Sequence, residues 1–81
     1  MTAWVQVGLK KTVLDPQGKA IQAALEKLGY QGLEELRQGK IFEIRLHREL
    51  DAAEARRQVE RAAREVLTNP VIEECSIRWE E

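Results

Sequence analysis

Val13-Leu14-Asp15-Pro16-Gln17-Gly18-Lys19-Ala20-Ile21 reads as the opening of a helix. The Asp15 carboxylate can accept from the free N–H groups of a first turn. Pro16 suits the first helical position, where its missing N–H costs nothing. Apolar spacing continues to Leu28, and Gly29 supplies the left-handed residue expected just past a last turn. Ahead of the cap, Trp4-Val5-Gln6-Val7-Gly8-Leu9 alternates as a strand, and beyond Gly29 the stretch Leu33 to Leu46 reads as strand again. The quoted residues therefore join a strand to a helix, and the rest of the chain depends on that unit. Gly18 is the odd residue within it, because a helix interior prefers alanine by about 1 kcal/mol. Either a glycine is simply tolerated in the first turn, or another backbone, or an anion beside Lys19, approaches closely there. Asp15 in the cap argues against the anion.

At 81 residues the chain is one domain, 1–81. A chain this short buries only about 60–65% of its unfolded surface. One Phe, one Tyr and two Trp are its large ring residues, and nine alanines fill much of the apolar count. Such a core is marginal alone, so association is the expected remedy. Thirteen basic and 14 acidic residues are well mixed and leave a net charge of −1. That balance gives no field for steering nucleic acid or an anionic membrane. Cys75 is the only cysteine, which rules out an internal disulfide and fits a reducing compartment. No basic-then-apolar leader follows Met1, and no run approaches the roughly 20 apolar residues of a membrane span. The expectation is a cytoplasmic chain that engages neither nucleic acid nor membrane.

Taken in order, the first strand covers about residues 3–10, with Val5, Val7 and Leu9 on one face and Trp4, Gln6 and Gly8 on the other. Helix one, about 16–28, aligns Ala20, Ile21, Ala24, Leu25 and Leu28. Phe42, Ile44 and Leu46 then alternate with Glu43, Arg45 and His47. Gly39-Lys40 suits either a two-residue hairpin or a bulge in one long bent strand. Asp51-Ala52-Ala53-Glu54 is a capping-box pattern, opening a second helix whose stripe is Ala52, Ala55, Val59, Ala62, Ala63 and Val66. Asn69-Pro70 ends it, and a last strand spans about 71–79. The expected fold is α+β: an antiparallel sheet of three to four strands, with both helices laid on one face by two crossovers. Trp4, Ile41 and Ile72 then fall on the second face, where three apolar side chains point to a partner sheet or subunit.

The residues offer little chemistry. His47 has no Cys or second His at ligand spacing and reads as a surface residue. Cys75 alternates with Ile77 and Trp79, the pattern of a buried, inert thiol. Glu34-Glu35 and Glu73-Glu74 point to opposite faces of a strand and cannot act as an acid–base pair. Arg56, Arg57, Arg61 and Arg64 are interleaved with Glu54, Glu60 and Glu65, as on a solvated helix face. There is no phosphate-binding glycine loop and no aromatic stacking platform. These residues describe a structural or interaction protein.

Leu9-Lys10 with Val13-Leu14-Asp15-Pro16-Gln17-Gly18-Lys19-Ala20, then Arg37-Gln38-Gly39-Lys40-Ile41-Phe42-Glu43, then Leu67-Thr68-Asn69-Pro70-Val71-Ile72-Glu73-Glu74 carry a resemblance over nearly the whole chain. In order and spacing they resemble the PurS family, the small accessory subunits of phosphoribosylformylglycinamidine synthase. Cys75 departs from the pattern, standing where many members carry an aromatic residue. The resemblance implies a non-catalytic subunit of a glutamine-dependent, ATP-consuming C–N ligase complex of purine synthesis. It implies two partners, a glutaminase (PurQ-like) and a synthetase (PurL-like), which this chain would join so that ammonia passes between them. It also implies self-association into dimers or tetramers. ATP, Mg and glutamine belong to the complex, with no cofactor, metal or catalytic residue on this chain. Trp4, Asp15, Gly18, Ile41 and Ile72 are the candidate interface or assembly residues. A second reading remains at this point. If Gly39-Lys40 is a hairpin, the topology is ferredoxin-like, and such modules bind amino acids or other small ligands at subunit interfaces.

Overall fold

Three strands form one antiparallel sheet in the order β2-β1-β3, with β1 at Thr2–Leu9, β2 at Gly39–Arg45 and β3 at Glu73–Glu80. The computed structural model describes residues 1–81. Helix α1 spans Pro16–Lys27, and α2 spans Ala52–Ala62 before loosening into a π turn at Ala63–Leu67. The α+β class, the antiparallel sheet and both helices are thus as expected. The sheet has three strands, because residues 33–38 run without strand pairing and β2 begins directly at Gly39, opposite Gly8. Gly39-Lys40 is neither hairpin nor bulge, so the ferredoxin-like order is not realised.

The two helices sit differently, and strand direction explains it. β2 runs antiparallel to its neighbour β1, so the chain re-enters the sheet at the end where it left. The excursion between them, residues 10–38, has no need to cross the sheet, and no side chain of α1 joins the core. β3 also runs antiparallel to β1, so β2 and β3 are parallel with β1 between them. Their connection must cross the sheet, and α2 lies over it. Only one of the two expected crossovers is therefore a crossover. The molecule is drawn out to 50 × 26 × 14 Å, with a radius of gyration of 16.3 Å. A ball of this length would have about 12 Å.

Ala3, Val5 and Val7 of β1 meet Val59 and Ala63 from the α2 side, and Phe42, Ile44, Leu46, Leu67, Ile77 and Trp79 close around them half-buried. No fully buried side chain is larger than valine, so the core is as slight as the composition requires. The π turn alters the apolar stripe of α2. Its wider winding brings Leu67, not Val66, against the core, and Val66 is left 78% exposed. On the outer side Arg61 pairs with Glu65 at 2.9 Å, and Arg57 pairs with Glu54. No helix is long and apolar enough to cross a membrane.

Candidate functional site

All three stretches that carry the resemblance converge at one end of the sheet, where residues 10–15 leave it and 36–39 return. Between them they form a neck, beyond which α1 and residues 28–35 make an arm. Asp15 sits in the neck, only 4% exposed. Its Oδ1 accepts from the Gly18 N–H at 2.9 Å, capping α1, and its Oδ2 accepts from the Gln38 N–H at 2.7 Å, tying the segment that returns to the sheet. One Arg37 nitrogen, Nη2, donates to the carbonyls of Lys10 at 2.9 Å and Val13 at 2.8 Å. The Lys10 N–H in turn reaches the Ile72 carbonyl at 2.8 Å.

Two glycines let these backbones close. A Cβ on Gly18 would stand 2.5 Å from the Leu36 carbonyl oxygen and 2.6 Å from Asp15 Oδ2. Gly18 is therefore not a merely tolerated residue: a backbone approaches there, and no anion is needed. At the sheet end of the neck, a Cβ on Gly39 would stand 2.7 Å from the Val7 carbonyl oxygen. Past α1, Gly29 has φ +99°, the left-handed conformation the helix end called for.

The N–H groups of Gln38 and Gly18, and then the Arg37 guanidinium, hold the Asp15 carboxyl below its ordinary value of 3.8, against the opposing effect of burial. Lys19, Glu34 and Glu35 line the same groove. A carboxyl lowered in the folded chain contributes stability above its unfolded value and loses it as pH falls toward the folded one. Below about pH 3.8 the chain is thus expected to lose stability through Asp15, a loss that Asp15→Asn should flatten in melts between about pH 2 and 5. Glu54 is also lowered, by Arg57 and Gln58. It is exposed, so roughly 1 M salt screens its share.

Trp4 and Ile41 do share the outer face of the sheet, as expected. Trp4 stands opposite Glu43 and Arg78, and Ile41 opposite Gln6. The Arg78 guanidinium lies 5.6 Å from the Trp4 ring centre, and Ile41 is 62% exposed. Ile72 is not on that face: it lies in the turn before β3 and contributes its carbonyl to the neck. The five candidate residues thus fall into two groups, Asp15, Gly18 and Ile72 at the neck and Trp4 and Ile41 on the sheet. Sequence reading missed Arg37 and Gln38, although both stand in a stretch that carries the resemblance. The arm adds a third surface that it also missed. Leu14, Ile21, Leu28 and Tyr30 are all exposed, Leu28 at 76%, because the stripe of α1 has no sheet beneath it.

His47 lies exposed in the turn after β2. Cys75 corrects its expectation. It is on the α2 side of β3, opposite Val7, yet exposed, bordering a hollow lined by Ala63, Thr68 and Pro70. The α2 face is narrow, built from alanines and one valine, and it does not reach that edge. No three His, Cys, Asp or Glu side chains converge where they could hold a metal ion.

Fold and neck together define a small α+β domain that carries a side arm on a polar neck. Residues 2–81 match the family model PurS, described as phosphoribosylformylglycinamidine (FGAM) synthase. The chain is 41% identical over 78 residues, 96% of its own length and 94% of the relative's, to the phosphoribosylformylglycinamidine synthase subunit PurS of Mycobacterium leprae. The crystal structure of Methanocaldococcus jannaschii PurS superposes with a TM-score of 0.84 at 34% identity, covering 99% of this chain and 95% of that one. A chain of PurLQS from Thermotoga maritima does so at 0.84 and 30% identity, covering 95% and 93%. The chain belongs to the PurS family, the small subunits of FGAM synthase, a ligase of purine biosynthesis.

Proposed function

We propose that this chain joins the glutaminase and synthetase subunits of FGAM synthase and so allows ammonia to pass from one to the other. The observation that carries the reading is the uncovered apolar stripe of the arm, Leu14, Ile21, Leu28 and Tyr30, held apart from the sheet body by the neck, so that arm and body can each be gripped by a different partner. A joint between two partners needs that arrangement. The likeness to a chain of the Thermotoga maritima PurLQS structure supports it. Free ammonia is protonated in neutral water and lost as a nucleophile, so the two reacting sites gain from being held together. On this reading ATP, Mg and glutamine are used on the partner subunits, in the cytoplasm, and this chain contributes position.

Co-elution tests the assembly. Mixed with its cognate synthetase and glutaminase in the presence of ATP, Mg and glutamine, the chain is expected to elute with both. A chain that elutes alone under every substrate condition contradicts the reading. We also propose self-association, with the outer face of the sheet, where Ile41 is exposed and Trp4 lies half-buried beneath Arg78, as one contact surface. Sedimentation at micromolar concentration is then expected to show a dimer or tetramer, and Trp4→Glu to shift it toward the 9.3 kDa monomer. A clean monomer of the unaltered chain argues against it.

A further inference from the structure

We propose that Asp15 and Arg37 form a latch that sets the angle of the α1 arm, and that this latch, and not apolar packing, makes the arm a rigid lever. The inference rests on the chain's own geometry and stands whether or not the bridging role does. No side chain of helix α1 joins the core between the sheet and α2. Leu14, Ile21 and Leu28 are exposed, and half-buried Leu25 lies outside the core cluster, so no core packing orients the arm. Inside the arm, the Gln22 side chain donates to the Leu33 carbonyl at 2.9 Å, so helix and returning segment move as one piece.

What remains at the root is polar. Asp15 ties the helix cap to Gln38 on the returning segment, and Arg37 ties that segment to the carbonyls of Lys10 and Val13 on the leaving one. Each residue thus spans the neck in the opposite sense. Gly18 and Gly39 bring the backbones close enough for both bridges to form. With the latch closed the neck is cross-linked at two levels and the arm has one direction. With it open, only the two chain segments of the neck join arm to body, and segments with few contacts and exposed hydrogen bonds move readily.

Arg37 is the cleaner residue to change, since Asp15 also caps α1. In a Cys75→Ser background, spin labels at Lys27→Cys on the arm and Ser76→Cys on the sheet report the angle, with unlabelled chain added in excess to remove distances between copies. The unaltered latch is expected to give one narrow distance. Arg37→Met keeps the stem, drops the donors, and is expected to leave a distribution roughly doubled in width, with helix content and β1 amide protection unchanged. Arg37→Lys, which keeps a cation and one donor group, should fall between. A single narrow distance in Arg37→Met overturns the proposal. So does broadening accompanied by lost protection in β1, which would make Arg37 a general stabiliser of the fold.

Discussion

Gly18→Ala is expected to destabilise the chain by about 1–3 kcal/mol, the usual range for forcing atoms into filled space. In a domain this small that lowers Tm by roughly 5–20 °C. The direction is the reverse of what helix propensity gives, since the same change at an open helical site stabilises by up to about 1 kcal/mol. The new methyl would meet the Leu36 carbonyl and the capping carboxylate at 2.5 and 2.6 Å. Neither can yield, because one is backbone and the other is fixed by two N–H groups. Gly39→Ala is expected to act the same way against the Val7 carbonyl. Gly8→Ala, with nothing within 4 Å of the added atom, is the control and should be nearly neutral. Thermal melts followed by circular dichroism decide it. A Gly18→Ala chain as stable as the Gly8→Ala control would remove the close approach at the neck from the account.

Local signals in the chain were legible where local chemistry decides. The Asp15-Pro16 start, the Gly29 stop, the Asp51 cap and the period-two strand around Val5 each fix their own residues and came through within one to two positions, whereas the strand expected from Leu33 begins only at Gly39. The Trp4–Ile41 face followed from alternation alone. Relative placement was harder. The same Ala20-Ile21-Ala24-Leu25-Leu28 stripe describes a helix on a sheet or one beside it, and only the antiparallel return of β2 separates the two. Arg37 and Gln38 carried no signal because their partners, the Lys10 and Val13 carbonyls and the Asp15 carboxylate, lie 23 to 27 residues away. Gly18 read as a tolerated glycine or as a close approach, and nothing in the sequence singled out Leu36 as the backbone that approaches. Val66 looked like core because a regular helix would put it there, and the π turn does not.

The largest effect expected of any change is omission of the chain from the assembled reaction. With synthetase, glutaminase, ATP, Mg and glutamine present, leaving it out should abolish FGAM synthesis, because ammonia released at one site would disperse and be protonated before reaching the other. Its own groups do not carry the chemistry on this account. The neck carboxylate and guanidinium are spent on backbone partners, and Cys75 and His47 are exposed and lie toward different ends of the sheet, apart from each other. A Cys75→Ser or His47→Asn chain should therefore restore synthesis as fully as the unaltered one. The most direct measurement sets two nitrogen sources side by side, glutamine and added ammonium, each with and without this chain. The account expects glutamine-dependent synthesis to vanish without the chain while ammonium-dependent synthesis by the synthetase largely persists. Equal loss from both sources would contradict it, and would mean that the chain completes the synthetase site itself.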